Sequence, residues 1–142
     1  MNVSRVWAFF ILRMIAGAIF LTHGIDKWFR MDYNTAMFEN YGLTRELMLS
    51  VGALEILAGF SFLKGMAIKI AAVVLTLIMA GAIVIARFSF GLIGGYDLPL
   101  AMFAICLLFV FTNKRNHSFS LILSSTRSFY QNIFHKVRKT NG

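Results

Sequence analysis

A chain of 142 residues that is 58% hydrophobic and 14% charged has too little polar surface to coat a soluble domain of its size. Its formal net charge of +8 comes without a soluble basic domain that would bind nucleic acid, so the excess is read as basic residues flanking membrane spans. A single cysteine, Cys106, excludes an internal disulfide or a Cys-x-x-Cys redox pair.

Four hydrophobic segments follow in order, which predicts an all-α, integral membrane four-helix bundle. No period-2 alternation appears, and a barrel would need at least about eight strands. The first segment runs from Val6 to Ile25. Arg13 cuts its opening to Val6–Leu12, so the stretch is read as an uncleaved span although Ala16-Gly17-Ala18 resembles a cleavage site. A guanidinium at bilayer depth is costly unless something answers it. Between the first two segments, Arg30 to Thr44 mixes Tyr33, Phe38 and Tyr41 with polar residues, as suits the headgroup zone.

The second segment, Leu47 to Leu63, carries Glu55 at its middle. If the first two helices emerge at one level, Arg13 and Glu55 differ in depth by only about 6 Å, which an arginine spans. A structural ion pair between Arg13 and Glu55 is therefore expected. The third segment, Ile70 to Ala86, is uncharged and follows a tight turn at Lys64-Gly65, with Gly65 in the C′ position. The fourth, Leu98 to Thr112, begins at Asp97 as N-cap with Pro99 in the first turn. Small residues at Ala67/Ala71 and Ala82/Ala86 read as close helix-packing positions.

Basic residues set the orientation. With both termini cytoplasmic, the inside holds Arg5, Lys64, Lys69 and the six basic residues after Asn113; the outside holds Lys27, Arg30, Arg45 and Arg87 among acidic neighbours. That distribution favours N-in, C-in. The chain thus divides into a four-span domain, residues 1–113, and a basic tail, 114–142. In the tail, Tyr130, Ile133, Phe134 and Val137 recur at i, i+3, i+4, i+7, predicting an amphipathic helix lying on anionic lipid or docking a cytoplasmic partner.

Chemistry concentrates near the outer ends of the spans. His23, Lys27 and Arg87 are candidate cofactor-binding residues there, and Glu55 and Asp97 are candidate catalytic proton carriers. An imidazole beside a carboxylate passes protons near neutral pH or bonds a headgroup carbonyl; alternatively His23 simply satisfies a helix end. No metal, haem or flavin site is evident, because His117 and His135 fall on the opposite side and no His/Cys spacing suits zinc. Gly91 to Gly95 lacks the lysine of a phosphate-binding loop.

The stretch LRMIAGAIFLTHGIDKWF resembles the first helix of the DoxX family, which reads Leu-Arg, a Gly, then His-Gly-x-x-Lys. VGALEILAGFSFLKG is similar to that family's Gly-x-x-Glu-x-x-x-Gly helix, and GYDLPLAMFAICLLF to the start of its fourth. Near the end of the third, where relatives often carry a histidine, this chain has Arg87. The resemblance, over about residues 10–113, implies a small four-helix protein of the bacterial inner membrane. Some relatives are subunits of thiosulfate:quinone oxidoreductases, and others associate with thiol-stress and superoxide-handling enzymes. Two functions follow. One is a redox-associated subunit in which His23 and Lys27 bind a quinone while Glu55 and Asp97 relay protons and a partner oxidoreductase supplies electrons. The other is a non-catalytic accessory or assembly subunit of a larger membrane complex, docked through an outer face rich in phenylalanine.

Overall fold

A computed structural model describes residues 3–87, 96–112 and 127. The expectations for residues 88–95 and for most of the tail, His117 and His135 included, lie outside the described residues. Among the described residues there is no strand. Helix α1 spans Val3–Phe29, α2 Met31–Glu39, α3 Arg45–Lys64, α4 Ile68–Gly81 and α5 Asp97–Phe111; α4 continues as a π-helical stretch over Ala82–Arg87. Among the described residues, three helices are long and apolar enough to cross a membrane: Ser4–Phe29, Arg45–Lys64 and Ile68–Ile85. Helix α5, at 15 residues, is apolar but shorter.

Local chemistry explains the joints. Arg30 leaves the helical region (φ −111°, ψ 51°), so the chain kinks between α1 and α2. Buried Asn34 answers the kink: its Nδ2 donates to the carbonyl oxygens of Asp26 at 3.1 Å and Arg30 at 3.0 Å. Replacing Asn34 with alanine removes both side-chain bonds while each carbonyl keeps a backbone donor, the Arg30 amide at 2.9 Å and the Asn34 amide at 3.0 Å, so the cost is about 0.5–1.5 kcal/mol. Asn34→Ala is expected to speed hydrogen exchange and proteolysis in α2 while the other helices hold. Thr44 caps α3, its hydroxyl accepting from the Leu47 amide at 3.3 Å.

At the other end of α3, Gly65 adopts φ +77°. The Gly65 amide donates to the Phe62 carbonyl at 3.3 Å and the Met66 amide to that of Ser61 at 3.1 Å, the two-bond ending of a Schellman turn. Ala67 follows, also left-handed at φ 49°. It is therefore a turn residue, not the helix-packing position its spacing with Ala71 suggests. Asp97 differs from expectation by one place: Tyr96 precedes the helix, and the Asp97 carboxylate accepts from the Leu98 amide at 2.9 Å.

Packing runs in a series, with α1 against α3, α3 against α4, and α4 against α5. The α4 face toward the core is Ile68, Ala71, Ala72, Leu75 and Met79, recurring every three or four residues as one side of a helix must. Met102, Cys106 and Phe109 of α5 meet it, and Phe109 sets its ring edge-on to Phe62 of α3 at 5.1 Å. Outward residues such as Ile11, Ile15, Leu57 and Ile70 stay exposed, as suits helices whose solvent is hydrocarbon. The hydroxyls of Ser61 and Thr76 donate to the carbonyls of Leu57 and Ala72, so neither needs water.

The α1–α3 contact rests on glycine. Gly17 faces Gly59 and Gly24 faces Gly52, in one antiparallel register. A Cβ on Gly24 would stand 2.7 Å from the Gly52 carbonyl oxygen, and one on Gly59 would stand 2.9 Å from that of Gly17. Backbones that close exchange dispersion contacts along their whole length, which is how helices associate where water is absent.

Candidate functional site

Glycine packing fixes which side chains meet. Lys27 lies level with Gly52, where a Cβ would be 3.2 Å from Lys27 Cβ and 3.3 Å from its Cδ. The bare surface of Gly52 thus makes room for the lysine stem to run back along α3. One turn further in, the ammonium reaches Glu55, with Nζ 2.6 Å from Oε2. Glu55 is only 3% exposed and Lys27 12%.

The expected Arg13–Glu55 pair is therefore corrected: Lys27 answers Glu55. Arg13 is buried, but it sits at the far end of α3, where a Cβ on Gly65 would be 2.5 Å from its Nη1. Glu55 is ten residues from Gly65, about 15 Å along a helix. The guanidinium lies over the Phe10 ring at 5.2 Å and beside the C-terminus of α3, whose dipole favours a cation. The expected pair requires Arg45 to lie level with Lys27. In fact α3 projects past that level and packs against α2, which moves Glu55 toward Lys27 and away from Arg13.

The Lys27–Glu55 pair opens onto a cavity of about 600 Å³. Its walls are mostly apolar: Ile19 and Phe20 of α1, Leu47 and Val51 of α3, Leu77, Ile78 and Met79 of α4, Met102 of α5. Helix α2 brings Tyr33, Met37 and Phe38 to it, so the stretch expected at the headgroup zone also lines the cavity. Ala82 and Ile85 line it from the π-helical stretch. Such insertions widen a helix locally and recur at functional sites. Nothing in an apolar run of this kind announces a π turn.

The structure brings His23, Lys27, Glu55 and Asp97 to this one cavity. His23 is exposed along it, one turn below Lys27 on α1, and close enough to Asp26 and Glu55 to interact electrostatically with both. Asp26 binds Arg30, with Oδ1 2.6 Å from Nε, and this carboxylate raises the pKa of Arg30 above the ordinary guanidinium value. Arg87 ends the π-helical stretch; its side chain lies outside the described residues. Among the described residues no three His, Cys, Asp or Glu side chains converge as metal ligands would. Gly52 and Asn34 are functional positions not expected from the sequence; the spacing of Gly17 to Gly24 and Gly52 to Gly59, one heptad each, is the available signal for the first.

A polar pair set in an apolar cavity among long hydrophobic helices defines a small helical membrane protein with an internal ligand-sized chamber. The sequence profile of the DoxX family matches residues 8–88, and the chain belongs to that family. It is similar to a Bacillus subtilis (strain 168) protein named "Putative oxidoreductase CatD", with 29% identity over 133 residues covering 84% of this chain and 99% of that one. No solved structure matches the chain.

Proposed function

We propose that this DoxX membrane protein is a redox-associated subunit that takes a quinone headgroup from the bilayer into its cavity. Bound there, a quinone supplies a two-electron, two-proton acceptor. Electrons come from a partner oxidoreductase. In this reading α5 is a fourth span, both termini face the cytoplasm of a bacterial inner membrane, and residues 114–142 form a basic tail outside the 1–113 bundle.

The observation that carries the reading is the Lys27–Glu55 pair, buried at 2.6 Å and facing a chamber of about 600 Å³. That volume falls within the range of small-molecule sites, and the mix of apolar wall and few polar groups is theirs too. Lys27 and His23 offer hydrogen-bond donors to ring carbonyls, and Arg87, which ends the π-helical stretch, is a further candidate. Glu55 of α3 and Asp97 of α5 are carboxylates that line the chamber and would carry protons. The name of the Bacillus subtilis relative also supports a redox role.

The test is equilibrium binding of a short-chain quinone to protein purified in detergent. His23→Ala is expected to weaken binding by up to about tenfold, the worth of one hydrogen bond. Unchanged affinity in a normally folded variant removes His23 from the site.

A further inference from the structure

Resting on the quinone reading of the cavity, we infer that Glu55 makes this chamber select the reduced, hydroxyl-bearing form of its ligand over the oxidised form. Glu55 would be the specificity-determining residue.

The Lys27–Glu55 pair keeps unused hydrogen-bonding capacity. Lys27 spends one of its three N–H groups on Oε2 of Glu55 at 2.6 Å. Among the described residues nothing donates to Oε1 of the same carboxylate, and Glu55 lines the cavity. The pair therefore shows the chamber two edges: ammonium protons that donate, and a carboxylate oxygen that only accepts. A quinone oxygen turned to Oε1 puts lone pair against lone pair. A quinol hydroxyl turned the same way donates, and a hydrogen bond to an ionised acceptor is among the strong ones.

Charge narrows the ligand further. Among the described side chains lining the cavity, the two that carry a fixed positive charge are each already matched, Lys27 with Glu55 and Arg30 with Asp26, both at 2.6 Å. An anionic headgroup would have to break one of these pairs to find a counter-charge. An uncharged ring bearing hydroxyls need not.

The experiment measures dissociation constants of decylubiquinone and anaerobically maintained decylubiquinol for the detergent-purified full chain, by equilibrium dialysis. Tighter quinol binding by about tenfold or more is expected, the range of a charge-assisted hydrogen bond. Glu55→Gln keeps the shape but turns its amide nitrogen to the chamber once its carbonyl accepts from Lys27, so the preference is expected to vanish or invert. Equal affinity of both forms for the wild-type protein overturns this selectivity while leaving the quinone site standing. Failure of both forms to bind overturns the quinone reading itself, and the selectivity with it. The wild-type ratio decides alone if Glu55→Gln is not recovered folded. A preference that survives in a folded Glu55→Gln protein also overturns the assignment to Glu55.

Discussion

Lys27→Met is expected to cost about 3–5 kcal/mol of stability, the loss seen when one partner of a buried ion pair is removed. The size follows from burial: Glu55 is 3% exposed, and its carboxylate would be left with no cation at 2.6 Å. A carboxylate stranded in this way must take up a proton, draw in water or force the helices apart, and each route costs stability. Lys27→Met combined with Glu55→Leu removes both charges and fills their volume with apolar atoms. That double variant is expected to recover most of the lost melting temperature in detergent, because a buried pair and an apolar replacement are often close in free energy. It should recover no ligand binding. Gly52→Val gives an independent route to the same pair. Its added atoms occupy the space of the Lys27 stem, where a Cβ alone would already be 3.2 Å from Lys27 Cβ, so it should lower stability with both charges still present. Single and double variants that melt with the wild-type protein would show that the pair is hydrated and adds nothing to the fold.

That experiment bears on why the spans were legible and their pairing was not. Hydropathy located the apolar helices within a few residues, since length and apolar content are properties of one segment at a time. The end of α3 was equally local: a glycine after the last apolar turn, next to Lys64, is enough to mark a C′ residue. The partner of Glu55 depended on how far α3 slides along α1, which no single segment carries. Assuming a common starting level put Arg13 beside Glu55 and misplaced α3 along α1 by about one turn, roughly 6 Å. The information that sets the slide was present as glycines spaced by seven in both helices, Gly17 and Gly24 against Gly52 and Gly59. Read together, those pairs set Gly24 level with Gly52 and so bring Lys27, one turn further along α1, to the same part of α3. The alanine pairs drew attention instead, although Ala67 belongs to a turn. His23, Lys27, Glu55 and Asp97 were singled out as polar residues in or beside apolar runs, where each needs a reason. The enclosing role of α2 was hidden, because its aromatic residues suit a membrane surface and a cavity wall alike.

Gly24→Ala and Gly59→Ala are each expected to destabilise the protein by about 1–3 kcal/mol, against the helix-propensity gain of about 0.5–1 kcal/mol that alanine normally brings in a helix. The obstacle at Gly24 is mostly backbone. Its added Cβ would lie 2.7 Å from the Gly52 carbonyl oxygen and 2.9 Å from the Ile56 amide nitrogen, atoms that cannot rotate away. At Gly59 the new methyl would meet the Leu21 amide nitrogen at 2.8 Å and the Gly17 carbonyl oxygen at 2.9 Å. Relief requires α1 and α3 to separate, and separation costs contact along the whole interface, since dispersion is lost steeply as a gap opens. The same movement lengthens the Lys27–Glu55 contact, so ligand affinity should fall along with melting temperature. Gly81→Ala is the control: a Cβ there meets nothing within 4 Å, so the ordinary propensity gain should survive and stability should hold or rise slightly. If all three variants melt alike, glycine in α1 and α3 is incidental. The register that joins Lys27 to Glu55 would then have to come from elsewhere in the bundle.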